Sequence, residues 1–303
     1  MEITPIISRA DWDALADMAD AALPQRWIYG AAAQAVGRDV MRVAIGDPDR
    51  PAAIAQIITR RIAGMSVGLI SRGPIFLRAG HARPVLRALR AATPALTLMT
   101  PENPIGAFSV VTGLESATLN LTPPLQDLRA GLHGKWRNAL VQSERANLPV
   151  AQPDVTPEAL MPLLAAEKAR QATGKYRALP PEFSLALHAA SARDLLLLTC
   201  LDAQMLFVLH GTSATYHMAH AGARARSANA HNLMLWRAIG VLKSRGVRHL
   251  DLGTIDKDRA PDLARFKMRT GAKIHRLGGT GPLIAPSGRA PVSPVMPEEV
   301  RRV

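Results

Sequence analysis

The sequence predicts a mixed α/β (α+β) protein built from two domains in tandem. Short apolar runs typical of strands alternate with segments of helical periodicity along most of the chain. A length of 303 residues also exceeds the size that one hydrophobic core usually serves. The dipeptide Pro123-Pro124 then introduces a second stretch with a similar order of helices and strands, although no residue-level repeat is present. We therefore expect two mixed α/β domains.

The first half of the chain contains helices and strands in a mixed order. Trp12, Leu15, Ala19 and Ala22 recur at helical spacing, with acidic residues on the other side. The dipeptide Gly73-Pro74 predicts a turn. The predicted helices span residues 11–22, a short segment that follows 25–30 and ends near Gly37, and residues 83–92. The predicted strands span residues 39–46, 52–62, 66–70, 96–99 and 116–121.

The second half shows the same mixture of elements. Asp202-Ala203 is a short hairpin connection between two apolar strands. The predicted helices span residues 125–145, 157–170 and a segment that begins near 229 and stops at Gly246. The predicted strands span residues 194–201, 204–210, 214–221 and a short run that ends in Asp251-Leu252-Gly253-Thr254. A brief loop is then predicted to carry Arg265-Phe266-Lys267, and the tail over residues 287–303, rich in Pro and Arg, is predicted to be loose.

The composition excludes several classes of protein. No run of about 18 apolar residues is present, so no conventional membrane span is predicted, and the N-terminus has no secretory pattern. The single cysteine, Cys200, excludes an internal disulfide and a multi-cysteine metal site. Its place in the apolar run 195–201 predicts a buried, inert thiol. We therefore expect a cytoplasmic protein without a metal.

The net charge of +13 suits a polyanionic partner such as tRNA, or the anionic face of a membrane. Only seven of the 37 basic residues are lysines, however, so a general bias toward arginine explains much of the excess equally well. Charge therefore supports a nucleic-acid partner without identifying one.

The segment 229–271 carries a resemblance to a known family. It places an amphipathic helix, the strand His249-Leu250-Asp251-Leu252-Gly253 and the tripeptide Arg265-Phe266-Lys267 in order before Gly271. This order resembles the closing segment of the Fem-type aminoacyltransferases. These enzymes use the acetyltransferase (GNAT) fold and add amino acids from aminoacyl-tRNA to cell-wall precursors.

The resemblance extends over most of the chain. Residues 25–30, 72–74 and 119–121 fall in the family's order, although the long helical hairpin of some members is missing. It implies two tandem GNAT-like domains with a last strand that returns to the first. The implied first domain spans 1–115 and is completed by about 279–290, and the second, which carries the transfer site, spans 116–278.

The resemblance also implies catalytic residues. A Phe-Lys pair lines the family's transfer site, which corresponds to Phe266 and Lys267. A fixed ammonium group stabilises the negative charge that develops when an amine attacks an ester carbonyl. The alternative is an apolar stripe with Lys267 in solvent. Asp251 orients the substrate amine or accepts its proton, or else it caps the next loop through a backbone hydrogen bond. Gly253 supplies a conformation that other residues resist.

A basic helix is the candidate site for the acceptor. The segment 125–145 presents Lys135, Arg137 and Arg145 outside its apolar stripe, and arginine binds phosphate through paired hydrogen bonds. In the family, basic residues here contact the precursor's phosphates; an ordinary solvated face is the alternative. The family has a further phosphate-binding lysine just after the segment that corresponds to 25–30, and this sequence has no lysine there. Either Arg38 or Arg26 substitutes for it, or the acceptor is not a nucleotide-linked precursor.

Two donors remain open from the sequence. An acetyl-CoA site in this fold needs a glycine turn that cradles pyrophosphate, and residues 222–226, which take its place, match it poorly. Arg224, Arg226 and Arg265 are the candidate donor-binding residues. Aminoacyl-tRNA is the preferred donor, acyl-CoA is the alternative, and a non-catalytic binding module of the same fold is a third possibility.

Overall fold

The computed structural model describes residues 1–174 and 179–284. The chain divides into two compact units. The first unit comprises Met1–Leu114 with the described residues from Arg276 onward, and the second comprises Glu115–His275. The predicted loose tail over residues 287–303 lies outside the described residues.

The first unit is built on a seven-stranded sheet in the order β1-β2-β3-β4-β6-β13, with β5 paired to β3. The neighbours β4 and β6 are parallel, and the other pairs are antiparallel. The chain therefore returns to this sheet with its last described strand. The strands are β1 (Ile3–Pro5), β2 (Asp39–Gly46), β3 (Pro51–Ile62), β4 (Met65–Ser71), β5 (Ile75–Phe76), β6 (Leu96–Thr100) and β13 (Gly281–Pro282).

Three α-helices accompany this sheet: α1 (Arg9–Asp17), α2 (Trp27–Ala35) and α3 (Ala82–Ala92). The side chain of Ser8 caps α1 by accepting a hydrogen bond from the Asp11 amide. The predicted helix over 11–22 is wrong at its end, because the chain leaves helical geometry after Met18 and Asp20 adopts a positive φ of 44°. Apolar side chains of α3 are buried in one hydrophobic cluster with those of β2 and β3.

The predicted motif at residues 25–30 has a structural role in this unit. The buried side-chain amide of Gln25 accepts a hydrogen bond from the Gln56 amide at 2.8 Å. It donates to the carbonyl of Ser71 at 2.9 Å. Gln25 thus ties the segment before α2 to β3 and to the end of β4. A buried amide whose hydrogen bonds are all made within the protein fixes local geometry.

The second unit contains a six-stranded sheet in the order β12-β7-β11-β10-β9-β8. The neighbours β10 and β11 are parallel, whereas β7-β11, β9-β10 and β8-β9 are antiparallel. The strands are β7 (Glu115–Asn120), β8 (Leu195–Cys200), β9 (Ala203–His210), β10 (Ser213–Ala221), β11 (His249–Ile255) and β12 (Lys273–Arg276). Cys200 is buried, and burial raises the pKa of its thiol, as expected for an inert cysteine.

The helices of the second unit correct two predictions. The predicted single helix over 125–145 is two helices, because the amide of His133 bonds to the carbonyl of Arg269 and the His133 ring caps the second helix. The predicted loop before Gly271 contains a helix, which Pro261 starts at its first position. The helices are α4 (Leu125–Ala130), α5 (Gly134–Arg145), α6 (Pro157–Gly174), α7 (Glu182–Ser191), α8 (Ala223–Ser227), α9 (Ala230–Ser244) and α10 (Pro261–Met268).

Helix α9 supplies most of the helical side chains in the hydrophobic core of the second unit. Leu233, Met234, Leu235, Ala238 and Leu242 are buried in one hydrophobic cluster with side chains of the sheet. Among the described residues, no helix is long and apolar enough to cross a membrane.

Candidate functional site

The second unit opens where its two parallel strands part. β10 and β11 pair only from Ser213 with His249 to Thr215 with Asp251. Both strands then continue without pairing to each other, β10 as far as Ala221 and β11 as far as Ile255. A wedge-shaped gap between two parallel strands exposes backbone and side chains that a continuous sheet would cover.

Both strands carry an irregularity where they part. The pairing of β10 with β9 shifts between Tyr216 and Met218, and the pairing of β11 with β7 shifts between Asp251 and Gly253. An extra residue in one strand bends that strand and increases its twist. Gly253 has a φ of 80°, which a residue with a side chain resists, so the predicted conformational role of this glycine is confirmed.

A cleft of about 920 Å³ lies at this divergence. Its walls come from α6, β10, β11, α10 and the first turns of α8 and α9. Small or apolar side chains such as Ala166, Ala219 and Leu252 form part of the lining. The remaining lining includes nine charged or titratable side chains: Glu167, Arg170, Tyr216, His217, His220, Arg226, His231, Asp262 and Lys267.

Lys267 places a cation inside this cleft. It lies on α10 with only 7% of its surface exposed, so the solvent-facing alternative is wrong. Its Nζ donates a hydrogen bond to the carbonyl of Thr254 at 3.0 Å. Burial lowers the pKa of Lys267 from 10.5 to about 8, while the charge of Asp251 acts in the opposite direction. At pH 7 the side chain is therefore still an ammonium ion, held in a partly dry site.

Asp251 shapes the strand next to this lysine. Its Oδ1 accepts a hydrogen bond from the Gly253 amide at 2.7 Å and one from the Ser116 hydroxyl at 3.4 Å. The first of these bonds closes the turn at the bulge, which is the capping alternative that the sequence left open. The carboxylate of Asp251 also supplies negative charge near Lys267, and its catalytic role stays a prediction.

Phe266 does not line the cleft described above. Its ring lies 5.9 Å from the ring of Trp136 and 6.2 Å from that of His231, measured between centroids. It packs on the core of the second unit together with Trp136. Phe266 therefore lies beside this cleft, next to His231, and its place at the transfer site stays a prediction.

Asp202 fills the turn that sequence reasoning compared with a pyrophosphate cradle. Its carboxylate accepts hydrogen bonds from the amides of Arg224 at 3.2 Å and Ala225 at 2.7 Å. A Cβ atom at Gly222 would lie 2.0 Å from Oδ2 of Asp202, so the glycine allows this close approach. The first amides of α8 are therefore occupied by the protein's own carboxylate. Sequence reasoning missed this role because Asp202 reads as an ordinary hairpin residue.

The predicted donor-binding arginines lie in different surroundings. Arg226 lines the cleft and donates to the carbonyl of Ala221 at 2.5 Å. Arg224 is exposed next to it on α8. Arg265 is also exposed and forms an ion pair with Asp262, one turn earlier on α10. Of the three, the structure brings only Arg226 to the cleft.

The basic helix presents its predicted residues to solvent. Lys135, Arg137 and Arg145 are exposed on α5, and none of them lines the cleft. Arg137 donates to the carbonyl of Leu132 at 3.1 Å. By contrast, Arg129 on α4 is held by two hydrogen bonds to the carboxylate of Glu144, at 2.8 and 2.6 Å.

The two arginines considered as substitutes for the missing lysine differ in the first unit. Arg26 is 2% exposed, forms an ion pair with Asp17 and donates to the carbonyl of Ala21 at 2.6 Å. It is therefore committed to structure. Arg38 is exposed after α2. In the described parts of both units, no group of three or more His, Cys, Asp or Glu side chains is arranged to hold a metal ion.

Comparison with solved structures places this geometry in a known fold. The crystal structure of FemX aligns with a TM-score of 0.75 and 13% identity, over 92% of this chain and 96% of that chain. The chain has the fold of FemX. No protein-family model and no curated protein matches the sequence. The prediction of two tandem GNAT-like domains is confirmed at the level of fold.

Two further structures share this fold at lower similarity. A tandem GNAT protein from the clavulanic acid biosynthesis pathway aligns with a TM-score of 0.55 and 12% identity, over 93% of this chain and 98% of that chain. The C-terminal domain of a putative lysylphosphatidylglycerol synthetase from Agrobacterium fabrum also aligns with a TM-score of 0.55, at 16% identity. That alignment covers 89% of this chain and 91% of the other.

Proposed function

We propose that this protein is a Fem-like acyltransferase that moves an aminoacyl group from aminoacyl-tRNA to an amine acceptor and forms an amide. The observation that carries the proposal is the buried ammonium of Lys267 in the cleft where β10 and β11 part. Burial of a charged group in such a site lowers the stability of the fold, because the group loses its hydration. A site that retains the charge is therefore a candidate for catalysis.

The chemistry follows from the position of this charge. The acceptor amine attacks the ester carbonyl, and negative charge develops on the carbonyl oxygen. Lys267, oriented by its bond to Thr254, stabilises that charge more strongly in a partly dry cleft than it would in water. The cleft also holds the two reactants together, which supplies a large part of the rate enhancement.

The donor is inferred from the turn at the start of α8. A CoA pyrophosphate bound there would have to displace the carboxylate of Asp202 from the amides of Arg224 and Ala225. Like charges repel, so this turn disfavours acyl-CoA. A net charge of +13 favours a donor with many phosphates. The similarity in fold to FemX and to the C-terminal domain of a putative lysylphosphatidylglycerol synthetase supports an aminoacyl donor.

The acceptor is proposed to be an amine on a phosphate-linked molecule, such as a peptidoglycan-precursor peptide. Arg137, Arg145 and Lys135 on α5 are exposed cations suited to its phosphates. A role for Arg38 in acceptor binding stays a separate prediction. The reaction belongs in the cytoplasm, where aminoacyl-tRNA is made, and needs no metal on this mechanism.

The test uses purified protein, a mixture of aminoacyl-tRNAs with radiolabelled amino acids, and an amine acceptor pool. We expect label to appear in an amide product that survives mild base, whereas the ester of the donor does not. Treatment of the donor with RNase should abolish transfer, and rising salt should weaken donor binding steeply. Transfer that survives RNase and follows added acyl-CoA would establish the alternative donor. Folded protein that transfers from neither donor would favour a non-catalytic module.

A further inference from the structure

His231 lies in the same cleft as Lys267 and is not used by the mechanism above. It occupies the first turn of α9, directly after Asn229, which has a positive φ of 55°, and Ala230. This left-handed residue turns the chain sharply between α8 and α9. His231 therefore lines the cleft from the first turn of α9. The rest of this helix packs in the hydrophobic core of the second unit.

The hydrogen bond of His231 defines its tautomer. Its Nε2 lies 3.0 Å from the carbonyl oxygen of His220. A carbonyl oxygen only accepts hydrogen bonds, so Nε2 carries the proton and the lone pair of the neutral ring is on Nδ1. No described residue forms a hydrogen bond with Nδ1. This atom is also not one of the buried polar atoms that lack a partner, so part of its surface is accessible. Its lone pair is thus open to a bound molecule.

Phe266 holds the imidazole ring in place. The two ring centroids are 6.2 Å apart, and Phe266 itself packs on Trp136. The next residue along α10 is Lys267. One helix therefore positions both groups, supporting the ring of His231 through Phe266 and placing the ammonium of Lys267 in the cleft. The adjacent residues Phe266 and Lys267 therefore contribute to the same site in different ways: Phe266 packs beside His231, and Lys267 lines the cleft.

We propose that His231 is the general base of the transfer, accepting through Nδ1 the proton that the acceptor amine loses as it attacks. The proposal rests on the proposed function. The amine nitrogen forms a bond to the carbonyl carbon, and the bond from that carbon to the ribose oxygen breaks. The proton moves from the amine to Nδ1 and then to the departing ribose oxygen, so the ring returns to its neutral form. No other reactant is needed.

The surroundings keep this ring neutral and ready to accept a proton. Burial lowers the pKa of His231; its bond to the His220 carbonyl acts in the opposite direction, and nearby positive charge lowers the pKa further. His217, another partly buried histidine of the cleft, has a pKa lowered to about 4 by burial and bonds to the Ser184 hydroxyl at 3.0 Å. The charged or titratable groups that line the cleft with His231 are Arg226, His220, Lys267, Asp262, Glu167, Arg170, His217 and Tyr216.

His231→Gln is the sharpest test. Glutamine retains an amide N–H that can donate to the His220 carbonyl, but it has no nitrogen lone pair that titrates. We expect an unchanged melting temperature and a kcat lower by about 10²–10³-fold, the usual range for loss of a general base. We expect kcat/KM of the wild type to rise with pH in the acidic range as His231 loses its proton, and this rise should disappear in His231→Gln. Retention of wild-type kcat and of this rise would overturn the proposal, because a merely structural histidine is replaced well by glutamine.

Two further measurements separate this inference from the proposed function. Nitrogen chemical shifts of His231 in the folded protein report its tautomer whichever donor is used, and a proton on Nδ1 of the neutral ring would overturn the proposal. His220→Gln is the matched change in the same cleft. If the rise of kcat/KM with pH disappears in His220→Gln but persists in His231→Gln, the proposal that His231 is the general base is also overturned. If transfer depends on acyl-CoA and the rise of kcat/KM with pH still disappears in His231→Gln, only the proposed tRNA donor is overturned.

Discussion

The Nζ of Lys267 donates its hydrogen bond to the carbonyl of Thr254, on the strand that has just parted from β10. This bond joins α10 to the part of β11 that is no longer paired with β10. It fixes an ammonium ion where two parallel strands leave a gap. The arrangement predicts opposite effects on activity and on stability when the charge is removed.

Lys267→Met should therefore lower kcat and raise stability. Loss of one charge-stabilising group predicts a decrease of about 10²–10³-fold in the chemical step. Removal of a buried charge whose pKa is lowered by burial should stabilise the fold by roughly 1–3 kcal/mol, measured by urea denaturation. Lys273→Met, at an exposed lysine on β12, is the control and should change neither quantity. Wild-type turnover in Lys267→Met would remove this residue from the mechanism.

The lowered pKa of Lys267 predicts a loss of activity at alkaline pH. Above about pH 8 the ammonium is deprotonated in the folded protein, so kcat should fall as pH rises through this value. Lys267→Arg stays charged and should lose this alkaline limb, although its absolute rate will be lower because of its different shape. Acceptor deprotonation affects both proteins alike, so the comparison isolates Lys267. An identical alkaline limb in both proteins would contradict the assignment.

The same group makes a separate prediction for stability. The unfolded chain keeps the lysine proton up to its ordinary pKa of 10.5, whereas the folded chain loses it near pH 8. Between these values the unfolded state binds more protons, so the contribution of Lys267 to the free energy of unfolding should rise with pH. Subtraction of the urea-denaturation series of Lys267→Met from that of the wild type measures this contribution, and a flat difference would contradict the lowered pKa.

Gly253 is predicted to be required for the shape of β11. With a φ of 80°, a Gly253→Ala substitution is strained and should destabilise the protein by about 1–3 kcal/mol. The new Cβ atom would also lie 3.6 Å from Nζ of Lys267, which is an ordinary contact, so the main effect is on the backbone. Gly240→Ala, in the interior of α9 with open space around its Cβ position, should instead stabilise by about 0.5–1 kcal/mol. Equal effects at the two glycines would refute this account.

The sequence predicted most strands of the structure but fewer of its long-range contacts. Alternating and continuous apolar runs identified β2, β3, β9 and β10 because burial of a sheet face leaves a local pattern. The sequence pattern does not predict helix α10, since its eight residues bury only two side chains, Ala264 and Lys267. The break before α5 depends on a bond to the Arg269 carbonyl, which no local pattern records.

The site was predictable only where the family resemblance supplied a residue. Lys267 was found in this way, although its burial and its bond to Thr254 depend on the position of α10. Asp202 and His231 were missed because their partners lie in other elements, at the start of α8 and at the end of β10. A single histidine or aspartate carries no periodic signal, so only the fold reveals its role.

The exposed arginines of α5 are predicted to act on the acceptor. Each charge-assisted hydrogen bond to phosphate contributes about 1.5–3 kcal/mol, so Arg137→Ala or Arg145→Ala should raise the acceptor's KM about 10-fold or more with little change in kcat. The effect should diminish at high salt, since exposed charges are screened. Arg193→Ala removes another exposed arginine of the second unit and is the control. Unchanged acceptor kinetics in both variants would identify α5 as an ordinary solvated face.

The last prediction concerns Asp202 and the choice of donor. Asp202→Ala removes the carboxylate that caps α8, so the melting temperature should fall by a few degrees, as expected for loss of a helix cap. The same change frees the amides of Arg224 and Ala225. We therefore expect no CoA binding to the wild type at concentrations on the order of 1 mM, and measurable binding to Asp202→Ala by calorimetry. Asp154→Ala, at an exposed aspartate of the same unit, controls for the change in net charge. Tight CoA binding by the wild type would show that this carboxylate does not exclude pyrophosphate, and the preference for tRNA would then rest on net charge alone.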